Sequence, residues 1–318
     1  TTQIEEWDAE QGKLVKKDKT VSISGAVNIF AGGQLTNKGS ITSQLDSTEA
    51  DYVLAGDISL DAGTGLVNDG ALTAEVGDIN LIAVGGTLTN NGEITATQGN
   101  ANLNAGVGAL ANNAKITAGQ DIYMKSLSTI NNSGELDAGQ NVTLDAVGKL
   151  TNSTDVKAGG DIVFDSTATI ENTGSLTADG NISLDGFMGI TNTKSLNSNN
   201  GTITIISENA DIRNEGAISA QEDVELTASE VLTNSGNINS NTGGIELTAK
   251  SGTLDNSGKL NAKNNILLEA EKAELKNTGL INSNNGNVLL NAGTTLSNKS
   301  AVAANGVIAL LANSDITN

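Results

Sequence analysis

The stretch LTNNGEITA, residues 88–96, decides the fold, because variants of it recur along the whole chain. LTNKGSITS at residues 35–43 and LTNSGNINS at residues 232–240 keep the same layout of Leu, Asn, Gly and Ile. Self-similarity of this kind is typical of repeat proteins, in which each repeat packs on its neighbours. The length of 318 residues would ordinarily suggest two domains, but the recurrence favours a stack of similar units.

The Asn of this stretch marks the period of the repeat. It ends a Leu/Ile-x-Asn tripeptide, and successive copies lie 20, 21 or 22 residues apart, except for a first interval of 31. The column comprises Asn37, Asn68, Asn90, Asn112, Asn132, Asn152, Asn172, Asn192, Asn214, Asn234, Asn256, Asn277 and Asn298, followed by the terminal Asn318. An aliphatic residue follows each Asn by four positions, and an apolar-x-apolar-x-small pattern such as Val224-x-Leu226-x-Ala228 comes after it.

These patterns predict three short strands per repeat: strand a (the Leu-x-Asn segment), strand b (the second aliphatic segment) and strand c (the alternating segment). Alternation with a period of two indicates a β-strand, and about 20 residues are too few for a strand–helix–strand unit. We therefore predict an all-β fold, a right-handed parallel β-helix (β-solenoid) of about 14 coils with 20–22 residues per coil. Residues 27–318 form this repeat domain, residues 1–26 form an N-terminal cap or linker, and an insertion lies at about 44–55.

The Asn column predicts a ladder of side-chain amides, each donating to one neighbour and accepting from the other. A ligand role for the Asn array is the alternative. In most coils a Gly follows two residues after the Asn, as in Gly92 and Gly236. We expect this Gly to supply a positive φ at the turn after strand a, where Asn also tolerates the left-handed conformation.

A second polar column precedes strand c. It runs Asp57, Asp78, Asn100, Asp121, Asn141, Asp161 and Asn181. Stacked carboxylates repel one another, and the interleaved Asn residues reduce that repulsion. A row of bound Ca²⁺ is the alternative, because Asp and Asn oxygens suit that ion. We predict no cofactor, with Ca²⁺ as the exception to be tested.

The composition argues against several classes of function. The chain has no His and no Cys, so a Ser-His-Asp or Cys-His catalytic set and a thiolate metal site are excluded. A net charge of −20 disfavours nucleic acid and anionic membrane surfaces as partners. No apolar run has the length of a membrane span. We predict that the chain is not an enzyme.

The longest Asn interval, between Asn37 and Asn68, contains the best candidate contact loop. Insertions in repeat proteins emerge as loops on one face, and such loops often bind partners. The candidate contact residues are Asp46, Glu49, Asp51 and Tyr52. A solvated acidic surface without a binding role is the alternative.

The coils resemble the haemagglutinin repeats of filamentous haemagglutinin and related two-partner-secreted exoproteins. The resemblance rests on LTNKGSI at residues 35–41, LTNNGEITA at 88–96 and LTNSGNI at 232–238, and it covers roughly residues 27–318. It implies a β-helical shaft, secreted or displayed at the bacterial cell surface. The Asn-Pro motifs typical of the family's secretion domain are missing, since the chain has no Pro. We therefore expect a shaft segment of a longer protein.

The resemblance also implies the partners. We expect a host or neighbouring-cell surface receptor or glycan, an outer-membrane transporter during export, and a second copy of the chain end to end. The expected function is the structural shaft of an adhesin. The alternatives are the stalk of a contact-dependent growth-inhibition toxin, a self-assembling filament subunit and, from a different class, a polysaccharide-processing β-helix enzyme.

Overall fold

The computed structural model describes residues 2–8, 13–19, 22–23, 25–44 and 56–318, with side chains for 25–44 and 56–318. Every regular element in this part of the chain is a β-strand. Thr2–Asp8 and Lys13–Lys19 form an antiparallel pair. The remaining strands are the a, b and c strands of the coils.

The strands of each class have a constant length, apart from the first b strand and the last a strand. The a strands are Leu35–Asn37, Leu66–Asn68, Leu88–Asn90, Leu110–Asn112, Ile130–Asn132, Leu150–Asn152, Ile170–Asn172, Ile190–Asn192, Ile212–Asn214, Leu232–Asn234, Leu254–Asn256, Leu275–Asn277, Leu296–Asn298 and Ile316–Thr317. The b strands are Ser22–Ile23, Ile41–Ser43, Leu72–Ala74, Ile94–Ala96, Ile116–Ala118, Leu136–Ala138, Val156–Ala158, Leu176–Ala178, Leu196–Ser198, Ile218–Ala220, Ile238–Ser240, Leu260–Ala262, Ile281–Ser283 and Val302–Ala304. The c strands are Val27–Ala31, Ile58–Ala62, Ile79–Ala83, Ala101–Ala105, Ile122–Ser126, Val142–Ala146, Ile162–Ser166, Ile182–Gly186, Ile203–Ser207, Val224–Ala228, Ile245–Ala249, Ile266–Ala270, Val288–Ala292 and Ile308–Ala312.

By its internal contacts the chain divides into two compact units, Thr1–Thr143 and Leu144–Asn318. In the first unit each strand pairs in parallel with its equivalents one coil away. Leu88 of strand a, for example, lies between Leu66 and Leu110. The b and c strands follow the same rule, with Ile94 beside Leu72 and Leu81 beside Leu60. Equivalent residues therefore stack on one another in all three sheets.

The second unit is built in the same way. Leu232 of strand a lies between Ile212 and Leu254, and Leu226 of strand c lies between Ile205 and Leu247. In each unit, three parallel sheets, one per strand class, thus surround a core. This confirms the predicted all-β fold, a right-handed parallel β-solenoid.

The core of each coil consists of aliphatic side chains that alternate inward along the strands. In the coil of Leu232 the inward residues Ile238, Ile245 and Leu247 are buried almost completely. Burial of one such side chain contributes roughly 1.5–3 kcal/mol, so every coil adds a similar increment of stability. The last inward residue of strand c is small because the chain turns sharply there. At Gly186 a Cβ would lie 2.7 Å from Cγ1 of Ile190.

Candidate functional site

The Asn residues that end the a strands form hydrogen-bonded rows in the core of each unit. In the first unit Nδ2 of Asn68 donates to Oδ1 of Asn90 at 2.7 Å, and Asn90 donates in turn to Asn112 at 2.8 Å. In the second unit Asn172 donates to Asn192 and Asn192 to Asn214, both at 2.8 Å. Each of these donations points toward the following coil, so the amide dipoles of a row are aligned.

The second N–H of the same amide closes the turn that follows strand a. Nδ2 of Asn172 donates to the carbonyl of Gly174 at 2.7 Å, and Nδ2 of Asn192 donates to the carbonyl of Lys194 at 2.8 Å. Both donor positions and the acceptor oxygen of Asn192 are therefore used although the side chain is almost fully buried. Buried polar groups cost little only when they are satisfied in this way.

The Gly that follows two residues after the Asn was predicted to adopt a positive φ, and this prediction is wrong. Among the described residues, positive φ occurs at Gly25 and Gly189, and neither belongs to that Gly column. The Gly occurs there because of a close approach between coils. A Cβ on Gly236 would lie 1.9 Å from the carbonyl oxygen of Gly216, one coil earlier. In the same way the Asn before this turn does not adopt the left-handed conformation, since the described residues include no non-Gly residue with positive φ.

The polar column before strand c also bonds from coil to coil, but through the backbone. Oδ1 of Asp78 accepts from the backbone N–H and from Nδ2 of Asn100, at 2.7 and 3.0 Å. Oδ1 of Asp121 accepts from the same two groups of Asn141, both at 2.9 Å. The side-chain oxygen of either residue type accepts from the backbone N–H of the next coil, as Oδ1 of Asn100 does from Asp121 at 3.1 Å. The Asn amides of Asn100 and Asn141 in addition donate to the preceding Asp, which explains why Asn is mixed with Asp in one column.

No group of three or more His, Cys, Asp or Glu side chains in the described part of the chain is arranged to hold a metal ion. The Asp oxygens of the column that would face a Ca²⁺ already accept hydrogen bonds from the next coil, as Asp78 does.

We expect a calcium chelator to leave the melting temperature of the purified protein unchanged. The reason is that the column is already satisfied by backbone N–H groups at Asn100 and Asn141. Differential scanning calorimetry with EDTA, and separately with added Ca²⁺, measures the effect. A rise in melting temperature with Ca²⁺ that EDTA reverses would establish a metal row.

The candidate contact loop lies outside the described residues. Asp46, Glu49, Asp51 and Tyr52 all fall in the segment 45–55, and their assignment as contact residues stays a prediction.

Sequence reasoning did not find the exposed apolar residues at the corner between strands c and a. In the first unit Val84, Val107 and Leu127 are more than half exposed. In the second unit Phe187 and Met188 occupy the corresponding corner and are also exposed. Their position after the small residue that ends strand c was visible in the repeat, but its outward direction was not.

The corner at Met188 borders a shallow depression of about 500 Å³. Its lining includes Lys149, Glu171 and Arg213. Lys149 forms an ion pair with Glu171, and Arg213 forms one with Glu215. Both of these cations are thus paired with carboxylates of the same chain.

Asp185, on the outer face of strand c in the second unit, carries an unfavourable negative charge. Partial burial raises the pKa of its carboxyl above the ordinary value of 3.8, and the nearby carboxylates of Glu208 and Asp165 raise it further. The folded state therefore binds the proton more tightly than the unfolded state does, and ionisation of Asp185 lowers stability.

We expect Asp185→Asn to raise the melting temperature at pH 7. The stability cost of the wild-type carboxylate is present above the raised pKa and disappears as the pH falls through that value toward 3.8. The advantage of the variant should therefore shrink as the pH falls through the raised pKa and should be absent below about pH 4. Thermal unfolding of both proteins between pH 3 and pH 8 tests this, and an equal melting temperature at pH 7 would contradict it.

No helix in the described residues is long and apolar enough to cross a membrane.

Comparison with known proteins gives one family. The haemagglutinin repeat family matches residues 96–186 and 189–270, which together are more than half of the chain. No curated protein and no solved structure shows significant similarity. The matched ranges consist of the a, b and c strands and the polar rows described above. The chain therefore belongs to the haemagglutinin repeat family.

Proposed function

We propose that this chain is the non-catalytic structural shaft of a bacterial cell-surface or secreted adhesin, which holds binding regions away from the cell. The observation that carries the proposal is the uniformity of the coils. Each repeat uses the same three strands, the same inward aliphatic positions and the same buried Asn, as in Asn172, Asn192 and Asn214. An extended shaft is built by repeating identical coils, whereas a catalytic site requires residues that differ from the repeat at one place.

Rigidity is the property that the buried Asn row and the paired sheets would provide. Within each unit, successive coils are joined by three parallel sheets and by side-chain amide bonds inside the core, such as Asn68 to Asn90 in the first unit and Asn234 to Asn256 in the second, both at 2.7 Å. Buried and fully satisfied polar networks specify one register of stacking. A shaft of this construction resists bending and slippage without disulfides, and the chain has no Cys.

The adhesin role, the receptor or glycan that it would bind, and export through an outer-membrane transporter rest on the family. The stalk of a contact-dependent growth-inhibition toxin and a filament subunit use the same shaft. A toxin domain in the same gene product would favour the stalk, and its absence would favour the adhesin.

Removal of one whole coil tests the shaft. Deletion of residues 235–256 joins Asn234 to Ser257-Gly258, which repeats the natural junction Asn234-Ser235-Gly236. We expect bacteria that display the parent protein with this deletion to export it and to adhere to cells as before. The matched deletion of residues 44–55 removes the candidate contact loop. Loss of adhesion after the coil deletion, with display intact, would place binding in the shaft and contradict the proposal.

A polysaccharide-processing enzyme is the alternative from another class. Such an enzyme needs a cation and carboxylates at a sugar-binding cleft. Arg213 is the one Arg of the chain, and its guanidinium is already paired with Glu215. Incubation with polyuronides, with and without Ca²⁺, tests this alternative. Turnover that Arg213→Ala abolishes would replace the shaft proposal.

A further inference from the structure

Four successive coils of the second unit have a side without acidic residues. It comprises the b strands that begin at Ile238, Leu260, Ile281 and Val302, together with the turns on both sides of each strand, residues 235–244, 257–265, 278–287 and 299–307. We call this surface the amide side. The charged residues on it are Lys259, Lys263 and Lys299. This is unusual in a chain with 37 acidic and 17 basic residues.

The outward residues of the amide side are already bonded to one another along the stack. Nδ2 of Asn282 donates to Oδ1 of Asn261 at 2.9 Å, and Nδ2 of Asn261 donates to Oδ1 of Asn239 at 2.7 Å. Because these amides satisfy part of one another's hydrogen-bonding capacity, covering them costs less than covering isolated polar groups. The amide side can therefore be removed from water when a partner neutralises its lysines.

The c strands of neighbouring coils carry the opposite charge. Glu225 and Glu246 are adjacent across the parallel pairing, and both point outward and are exposed. Together with Asp223 they surround a depression of about 400 Å³, whose lining also includes the side chain of Leu267. This surface is the acidic side. Within the described residues neither glutamate forms an ion pair.

The acidic depression has the chemistry that receives a lysine side chain. Leu267 offers an apolar contact for the aliphatic stem, and Glu225 and Glu246 offer two carboxylates for the ammonium group. Lys259 and Lys263, which are exposed on the amide side, are likewise in no ion pair within the described residues. Both halves of a complementary pair are thus present on one chain, on the b strands and the c strands of neighbouring coils.

We propose that the amide side of one molecule docks side by side on the acidic side of a second copy of this chain. Lys259 and Lys263 of one copy then face Glu225 and Glu246 of the next. A second copy is the partner that fits, because its acidic side offers the lysines two carboxylates that lie next to each other on adjacent coils. The interface is heterologous, since two different surfaces meet.

The size of the contact sets its strength. Four coils spaced at about 4.8 Å extend about 20 Å along the stack, and one b strand with its two turns is roughly 20 Å wide. The amide side therefore covers about 400 Å² per copy. A typical stable interface covers about 800 Å² per partner, so this association is weak and reversible. Because charge complementarity drives it, it weakens as ionic strength rises.

Charge reversal tests the proposal. By sedimentation equilibrium we expect wild-type protein to associate with rising concentration at about 0.01 M salt and to become monomeric at about 0.5 M. The double variants Lys259→Glu/Lys263→Glu and Glu225→Lys/Glu246→Lys should each remain monomeric at low salt. An equimolar mixture of the two should associate again, because each then presents a complementary surface to the other.

A matched control separates this contact from general charge repulsion. Lys250→Glu/Lys272→Glu makes the same change in net charge at exposed positions of the corner between strands c and a, and it should associate like the wild type. Carbodiimide coupling of mixed ¹⁴N and ¹⁵N protein should join Lys259 or Lys263 of one isotope to Glu225 or Glu246 of the other. Wild-type protein that stays monomeric at low salt, or a variant mixture that fails to associate, would overturn the proposal.

Discussion

Phe164→Ala is expected to lower the free energy of unfolding of the second unit by about 3–5 kcal/mol, the usual cost of truncating a fully buried aromatic residue. Phe164 is the largest side chain in the described core, with 0% of its surface exposed. It lies at the middle of strand c, opposite Leu184 of the next coil. The aliphatic neighbours are held by the sheets and cannot move in to fill the space, so a cavity remains.

A second Phe provides the control. Phe187 lies at the exposed corner of the following coil, with 42% of its surface accessible, and Phe187→Ala should change stability by less than about 1 kcal/mol. Urea unfolding followed by circular dichroism compares the two variants with the wild type. If Phe164→Ala lowered the free energy of unfolding as little as Phe187→Ala does, the coil would have collapsed to fill the cavity and the prediction would be wrong.

Asn172→Asp should be at least as damaging at neutral pH, with a loss on the order of 3–5 kcal/mol from an unpaired buried charge. The new carboxylate would replace the Nδ2 group that donates to Asn192 and to the carbonyl of Gly174. Two acceptors would then face a negative charge inside the core. Asn172→Leu removes the same bonds without adding charge, and it should cost about 1–3 kcal/mol.

The pH dependence distinguishes this loss from simple misfolding. Burial raises the pKa of a carboxyl group, and a protonated Asp at position 172 could again donate to Asn192, so the loss should shrink as the pH falls. Asn209→Asp makes the same change at an exposed corner and should be nearly neutral at any pH. Chemical unfolding at pH 4 and pH 7 measures both variants. A neutral result for Asn172→Leu would remove the stabilising role that we propose for the Asn row.

Much of the fold could be predicted from the sequence because the same pattern recurs in every coil. A period of 20–22 residues with three apolar segments leaves few arrangements other than three stacked parallel sheets. The identity of the residues in each column followed from the same period. The function of single residues was harder to predict, because most positions that recur from coil to coil recur in order to stack on their equivalents.

The reason for the glycines shows where periodicity is insufficient. Gly236 and its equivalents fit two explanations, a positive φ or a close neighbour, and both predict a small residue two positions after the Asn. The distance of 1.9 Å from a Cβ to the preceding coil decides for the neighbour. Ala114, Thr154, Lys194 and Ser300 occupy the same column, so some coils adjust to a side chain there.

The sequence by itself determined the coil, its three strands and the columns of Asn, Asp and Gly, because stacking forces chemically equivalent residues to recur at one spacing. The tertiary structure alone decided the direction of the Asn donations, the exposure of the corner at Phe187, and the raised pKa of Asp185. It also decided which charges share a surface, as Glu225 and Glu246 do across two coils. These properties depend on distances between residues about 20 positions apart, and a repeat pattern contains the period but not the distances.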